Sequence, residues 1–344
     1  MKDLEVLMEP TKERMGVGRF HFSDRYSVFD WGEMPDHIPY KGEAIALLGA
    51  YFFEKLEEMD ISTHYLGIVE DGEVKRLSDV KRPANKIEIK LLRVISPKLQ
   101  DTDYDYSVYR EEKGGFLVPL EVIYRNFLPA GSSVFRRLKD GEICPADLNL
   151  SSMPLPNQKL DSPFLDYSTK LEITDRYLTR ERARSIAGLS DDEILEIEGI
   201  VIDVNDLITK EFSKIGLVNE DGKVELGFDL KRCFMLVDVL GTLDECRVTF
   251  DGTPVSKEIA RIYYRKTEWH HAVEEAKKKD RQHWRETCEL SPEPLPEMLK
   301  LLISQIYCAV TNEVTQRTWF KDLPTLKELL KDIKEALNVD DKRC

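Results

Sequence analysis

Residues 190–240 constrain the fold more than any other stretch. Ser190-Asp-Asp-Glu193 reads as a capping box, and Gly216 stands where a C-cap glycine belongs. Between them Ile194, Ile197, Val201, Val204, Ile208 and Phe212 recur at three- and four-residue spacing. The pattern predicts one long amphipathic helix over 191–215. Two strands follow, near 222–228 and 233–240, joined by Asp229-Leu-Lys-Arg232. Side chains alternate faces along a strand, so Lys223 and Glu225 share one. A turn centred on 230–231 would pair 223 with 238 and 225 with 236. Asp238 would then join that face, and two carboxylates and a lysine would converge. Hard oxygen ligands of this kind suit Mg²⁺ bound with nucleotide phosphates. A solvated strand face with incidental charges would look the same.

The first ~110 residues read as short strands near 17–22, 63–69 and 86–95, around one helix near 42–59. Residues 96–115 are polar and tyrosine-rich, a candidate linker or flap. Residues 116–124 form a buried-type strand. Helices are expected over 256–285, 297–315 and about 324–337, with Pro292, Pro294 and Pro296 separating the first two. At 344 residues the chain is long for one domain and comfortable for two.

The formal charge is −14, which argues against a duplex nucleic acid partner, because that needs a net basic face. Local Lys/Arg clusters can still bind small anions. No apolar run reaches the roughly 18 residues that span a bilayer, and the N-terminus lacks the apolar core of a signal peptide. A cytosolic, membrane-free protein is expected. The six cysteines form no C-x-x-C pair and read as free thiols.

Three further constellations could carry chemistry. Arg125 ends an apolar strand and is followed by Ala130-Gly131-Ser132, a candidate anion-binding turn or an ordinary helix-capping loop. Ser23-Asp24-Arg25-Tyr26-Ser27-Val28-Phe29-Asp30, with Lys41 beyond it, suits either a polar turn facing a cleft or a cap for the next helix. Arg247, in Thr242-Leu-Asp244-Glu-Cys-Arg247, could reach a phosphate or make a surface ion pair.

Taken in order, these segments resemble one family, phosphoribosylaminoimidazole-succinocarboxamide synthase, over roughly residues 9–315. Its D-R-x-S-A-F-D and I-P-x-K-G-E segments correspond to Asp24–Asp30 and Ile38–Glu43. Its V-P-L-E-V-x-x-R…A-G-S corresponds to Val118–Arg125 and Ala130–Ser132. Its D-x-K-x-E-F-G matches Asp221–Gly227, and its D-E-V-x-T-P-D-S-S-R matches Asp238–Arg247. There are departures. Val239 replaces an acid, Pro129 adds a residue, and Glu245 and Cys246 stand where small hydroxyl residues are usual. The nucleotide loop is only echoed by Thr11-Lys12-Glu13-Arg14.

The resemblance implies an α+β fold related to ATP-grasp enzymes, with two lobes sandwiching ATP and helices at the C-terminus. The lobes would be residues 1–112, β-rich and nucleotide-binding, and 113–315, with 316–344 a helical extension. It implies an ATP- and Mg²⁺-dependent ligase that joins L-aspartate to carboxyaminoimidazole ribonucleotide through an acyl phosphate, in purine synthesis. Glu225 and Asp238 would hold the metal. Lys12 and Lys90 would contact ATP phosphates, and Lys223 the acyl phosphate. Asp221 would bind the imidazole amine or the incoming ammonium. Arg125, Ser132 and Arg247 would bind the ribotide phosphate, with Lys41, Asp30 and Asp244 as further substrate contacts. A homodimer is left open. Two other readings remain: a small-molecule kinase of the same fold, akin to inositol polyphosphate kinases, and a relative with altered function.

Overall fold

The computed structural model describes residues 1–100, 103–280 and 283–341. Five antiparallel strands form the first sheet: β1 (Lys2–Met8), β2 (Gly16–Phe22), β3 (Tyr65–Glu70), β4 (Glu73–Lys75) and β5 (Lys86–Leu91), in the order β1-β2-β5-β3-β4. Helix α1 (Lys41–Glu57) packs on β2, β3 and β5. The strand β1 is an addition to the expected elements. Its alternation of acids with Leu4 and Val6 is mostly exposed, so no apolar run marks it.

Strand β6 (Lys98–Gln100) pairs antiparallel with β7 (Asp103–Asp105), and a turn of helix, α2 (Val108–Glu111), comes after them. Tyr106 and Tyr109 of this segment are buried, so it is anchored to the core by its aromatic residues.

The second sheet has seven strands: β8 (Phe116–Leu128), β9 (Gln158–Thr169), β10 (Tyr177–Leu178), β11 (Val218–Phe228), β12 (Phe234–Val237), β13 (Cys246–Phe250) and β14 (Thr253–Pro254). Their order is β10-β9-β8-β11-β13-β14, with β12 also paired to β11. Helices α3 (Ser133–Lys139) and α4 (Arg180–Ile186) lie on the connections. The long α5 (Asp191–Lys214) packs on β8 and β11. Val118, Leu120, Val122 and Tyr124 of β8 share one buried face by alternation. Pro119 sits where the β8–β11 register shifts, a place where the ladder does not need its missing N–H.

Among the described residues, the region expected as one helix over 256–285 holds three: α6 (Glu258–Arg265), α7 (Glu268–Lys279) and α8 (Trp284–Thr287). Thr267 causes the first break, because its side chain accepts from the His270 N–H and starts a new helix. Helix α9 (Glu297–Thr315) packs against α1 and α10 (Leu326–Asp341). Cys144, Cys233, Cys246, Cys288 and Cys308 are unpaired, and Cys344 lies outside the described residues.

Two short parallel bridges join the sheets. The His64 N–H donates to the Leu236 carbonyl and the Leu236 N–H to the Ser62 carbonyl, both at 2.9 Å. Arg93 pairs similarly with Phe116.

The capping box of α5 is reciprocal: the Glu193 N–H donates to Ser190 Oγ at 3.1 Å, and the Ser190 N–H to Glu193 Oε2 at 2.8 Å. Ser190→Ala should therefore lower stability by about 1 kcal/mol. A urea melt should record the loss, and activity of the folded protein should be unchanged.

Candidate active site

Strand alternation builds the site. On β8 and β11 the odd-numbered residues 121, 123, 125, 221, 223 and 225 face away from α5. The ladder pairs Arg125 with Asp221, Ile123 with Lys223 and Glu121 with Glu225. It extends the rows through β13, where Asp221 pairs with Arg247, and through β9, where Ile123 pairs with Asp166. A bulge between Asn219 and Asp221 sets this parity. Asn219 donates to Thr209 on α5, whereas Asp221 turns to the opposite face and accepts from Arg247 Nη1 at 2.7 Å.

The metal-type face differs from the expected register. Glu225 pairs with Val237, not residue 236, and β12 ends before Asp238. The reason is the turn. Asp229 is bonded to Cys233, and Arg232 takes a left-handed φ of 65°, so the turn centres on Lys231. Asp238 reaches Glu225 by a different route. Its own φ of 60° swings the chain out of the strand, and its carboxylate meets Glu225 and the Lys2 ammonium of β1. Asp tolerates this left-handed conformation better than most residues. His64 Nε2 meets the Asp238 carbonyl oxygen at 2.9 Å.

Lysines balance the carboxylates here. Lys170 lies 2.7 Å from Glu225 and 3.0 Å from Glu121, and Lys223 lies 3.0 Å from Glu121 and 3.4 Å from Glu225. Burial, reinforced by Asp238, pushes the Glu225 carboxyl up to about 7 against the pull of the two lysines. Burial would also raise Asp238, but Lys2 holds it well below the usual carboxylate range. Burial works to lower Lys223, and Glu245, Glu121 and Glu225 outweigh it and keep the ammonium charged. Among the described residues no group of three His, Cys, Asp or Glu forms a self-sufficient metal cage. Two adjacent carboxylates, Glu225 buried and Asp238 partly so, nevertheless fit Mg²⁺, which takes one or two such ligands and completes its shell from phosphates and water.

Arg125 is buried and fixed. Its Nε and Nη2 donate to Asp166 Oδ2 at 3.2 and 3.1 Å, and its Nη1 lies 3.7 Å from Asp221. Arg137 shares the same carboxylate at 2.7 Å and stacks on Tyr177, 4.3 Å from the ring centre. Arg125, Asp221, Lys223 and Arg247 line one cleft of about 300 Å³, together with Glu245, Lys257, Glu258 and Arg261. Arg247, Glu258 and Arg261 continue into a second cleft of about 400 Å³, which Asp30 and Gly131 border.

Other expected residues lie elsewhere. Ser132 is the N-cap of α3, its Oγ accepting from the Val134 N–H at 3.3 Å. Lys41 is buried and paired with Asp244 at 2.5 Å, and Tyr307 donates to the other Asp244 oxygen at 2.7 Å. Asp30 is exposed and pairs with Lys277 at 3.3 Å. Asp24 caps α1 by accepting from the Gly42 N–H at 3.0 Å. Lys12 engages Glu112 at 3.0 Å. Lys90 lies on β5, its N–H donating to the His64 carbonyl at 2.7 Å.

Lys2, Glu121, Lys170, Lys257 and Arg261 belong to the cleft or its charge cluster without being among the site residues that the sequence motifs mark. Glu121 was legible as a charged residue within the apolar run 116–124. Lys257 and Arg261 were legible as an i,i+4 basic pair. Lys2 and Lys170 carry no local signal, because only tertiary structure brings them to the cluster.

The raised Glu225 carboxyl has a defined sign. Between about 4.5 and about 7 the folded state holds a proton that the unfolded state has lost, so this group's stabilising contribution disappears as pH rises through that window. Glu225→Gln should flatten the fall in thermal midpoint between pH 5 and pH 8 relative to the parent protein. Mg²⁺ should raise the parent's midpoint at pH 8 more than the variant's. Parallel pH profiles for the two proteins would refute the assignment.

A family model described as SAICAR synthetase matches residues 11–283. A protein of Archaeoglobus fulgidus, provisionally named a phosphoribosylaminoimidazole-succinocarboxamide synthase, is 51% identical over 337 residues, covering 98% of this chain and 99% of its own length. Among solved structures, the chain resembles a Saccharomyces cerevisiae SAICAR synthase complexed with SAICAR, with a TM-score of 0.63 at 17% identity, covering 92% of this chain and 93% of the other. It also resembles a SAICAR synthetase in complex with ADP, with a TM-score of 0.55 at 22% identity, covering 85% and 97%. At these identities the structural likenesses speak for the fold. The family model and the Archaeoglobus relative speak for descent, and by both this chain belongs to the SAICAR synthetase family.

Proposed function

We propose that this protein is the ATP-dependent ligase that forms an amide between L-aspartate and the carboxylate of 5-amino-1-(5-phosphoribosyl)imidazole-4-carboxylate, releasing ADP and phosphate. The observation that carries the reading is the single cleft in which Arg125, Asp221, Lys223 and Arg247 stand on adjacent strands, beside the Glu225–Asp238 pair. Family membership supplies the reaction class. Nothing among the likenesses favours a kinase.

A carboxylate reacts poorly with an amine because oxide is a poor leaving group, and phosphorylation replaces it with a good one. The protein's work is then positioning and charge neutralisation. Mg²⁺, when bound, would neutralise nucleotide phosphate charge. Glu225 and Asp238 are the side chains suited to hold it. Lys223 stays protonated and can balance charge on the acyl phosphate. Arg125, held rigid by Asp166, and Arg247 offer guanidinium donors to a ribotide phosphate. Asp221 accepts from Arg247 and lies close to Arg125, so it orients both and offers a carboxylate to the imidazole amine. ATP would lie between a lobe of residues 1–112, which contributes Lys12 and Lys90, and the larger lobe of 113–315, with 316–344 as an extension. Ser132 serves through the α3 cap, and Lys41 and Asp244 form a buried ion pair outside that cleft.

The test is ADP release with the carboxylated ribonucleotide, with and without aspartate. Full turnover should need both, and ATP consumption independent of aspartate would point to a kinase instead. Arg247→Ala should raise the KM for the ribonucleotide by about tenfold or more, while that for ATP moves by less than about twofold. Equal changes in both would remove Arg247 from the phosphate site.

A further inference from the structure

Most of the charged groups in the 300 Å³ cleft are matched. Arg125 is held by Asp166, Arg247 by Asp221, Arg261 by Glu258, and Lys223 by Glu121 and Glu225. Among the carboxylates of the cleft Glu245 is different. It precedes β13, lines the cleft, and has a buried Oε2 with no hydrogen-bond partner. Lys223 Nζ stands 3.6 Å from that oxygen, too far to donate, and already serves the other two carboxylates. A buried carboxylate oxygen without a donor is costly in free energy, and a bound group that donates to it recovers the loss.

Geometry decides which group. On the ligase reading Lys223 balances the acyl phosphate, which would put Glu245, 3.6 Å from its Nζ, within reach of the carbon that the nucleophile attacks. An organic ammonium carries three N–H donors on a point charge and can serve a single orphaned oxygen. A metal ion needs several oxygens at once, and the described residues bring no group of three such ligands together.

We propose that Glu245 receives the α-ammonium of the incoming amino acid and takes its first proton, an inference that rests on the ligase reading above. One N–H proton passes to Glu245, and the freed lone pair forms the C–N bond at the acyl carbon. The C–O bond to the phosphoryl group breaks, and its electron pair leaves with phosphate. The second nitrogen proton goes to the departing phosphate. Glu245 thereby selects a cationic nucleophile and makes it neutral where it is needed.

Hydroxylamine tests this, because it is already neutral at pH 7 and attacks acyl phosphates without surrendering a proton first. Glu245→Gln should raise the aspartate KM and lower aspartate-dependent turnover by on the order of ten- to a hundredfold. ADP release driven by ribonucleotide and hydroxylamine should stay within about twofold of the parent, as should the KM values for ATP and ribonucleotide. Glu245→Ala, with matched thermal midpoints, should reproduce the split and guards against a folding defect in the first variant. Equal losses with both nucleophiles, or a loss confined to ATP or Mg²⁺, would overturn the assignment. A parent enzyme that turns over with neither nucleophile would overturn the ligase reading itself, and this inference with it.

Discussion

Strand β11 is the constraint on which the site depends. It is hydrogen-bonded on both sides, so its side chains have two faces and no freedom to choose between them. One face must meet α5 and is filled by Gly222, Val224 and Leu226, all buried. The other inherits Asp221, Lys223 and Glu225 at two-residue spacing, and the neighbouring ladders add Arg125, Glu121 and Arg247 in rows. A one-residue slip would send the carboxylates into the apolar layer under the helix, at a penalty no nearby cation could offset. The capped, amphipathic α5 therefore does more than close a core, because its stripe fixes which face of the sheet is left for chemistry.

The charges on that face are arranged to cancel. Lys170 and Lys223 each serve two carboxylates, and Lys2 reaches Asp238 from the other sheet. An acidic protein can in this way present an anion-receptive cleft, since the lysines need only exchange protein carboxylates for phosphate oxygens. The Arg125–Asp166–Arg137 cluster behaves differently. It is deeply buried and held at several contacts, so it acts as a rigid donor and not as a movable counterion.

Much of this was legible without coordinates where a local rule applies. The capping box, the stripe of α5, and the sharing of one face by Lys223 and Glu225 follow from spacing alone, and the order of the motifs pointed to the family. The hairpin register differs by one residue from the one that spacing predicts, because Arg232 adopts a left-handed conformation that its identity does not announce. The split of residues 256–285 turned on Thr267, one hydroxyl among helix-favouring neighbours. The contact of Lys2 with Asp238 follows only from how the two sheets come together, and that of Lys170 with Glu121 from the pairing of β9 with β8, residues far apart in the chain in both cases.

The backbone of Asp238 has a consequence for how this sequence can drift. The position imposes two demands at once, a left-handed turn out of β12 and a carboxylate aimed back at Glu225. Glycine and asparagine accept the first and lack the charge, whereas glutamate has the charge and a side chain poorly suited to the turn. Most active-site positions can be approached through a chain of tolerable neighbours. At this one, aspartate alone of these four residues meets both demands, so any of the other three gives up either the turn or the charge.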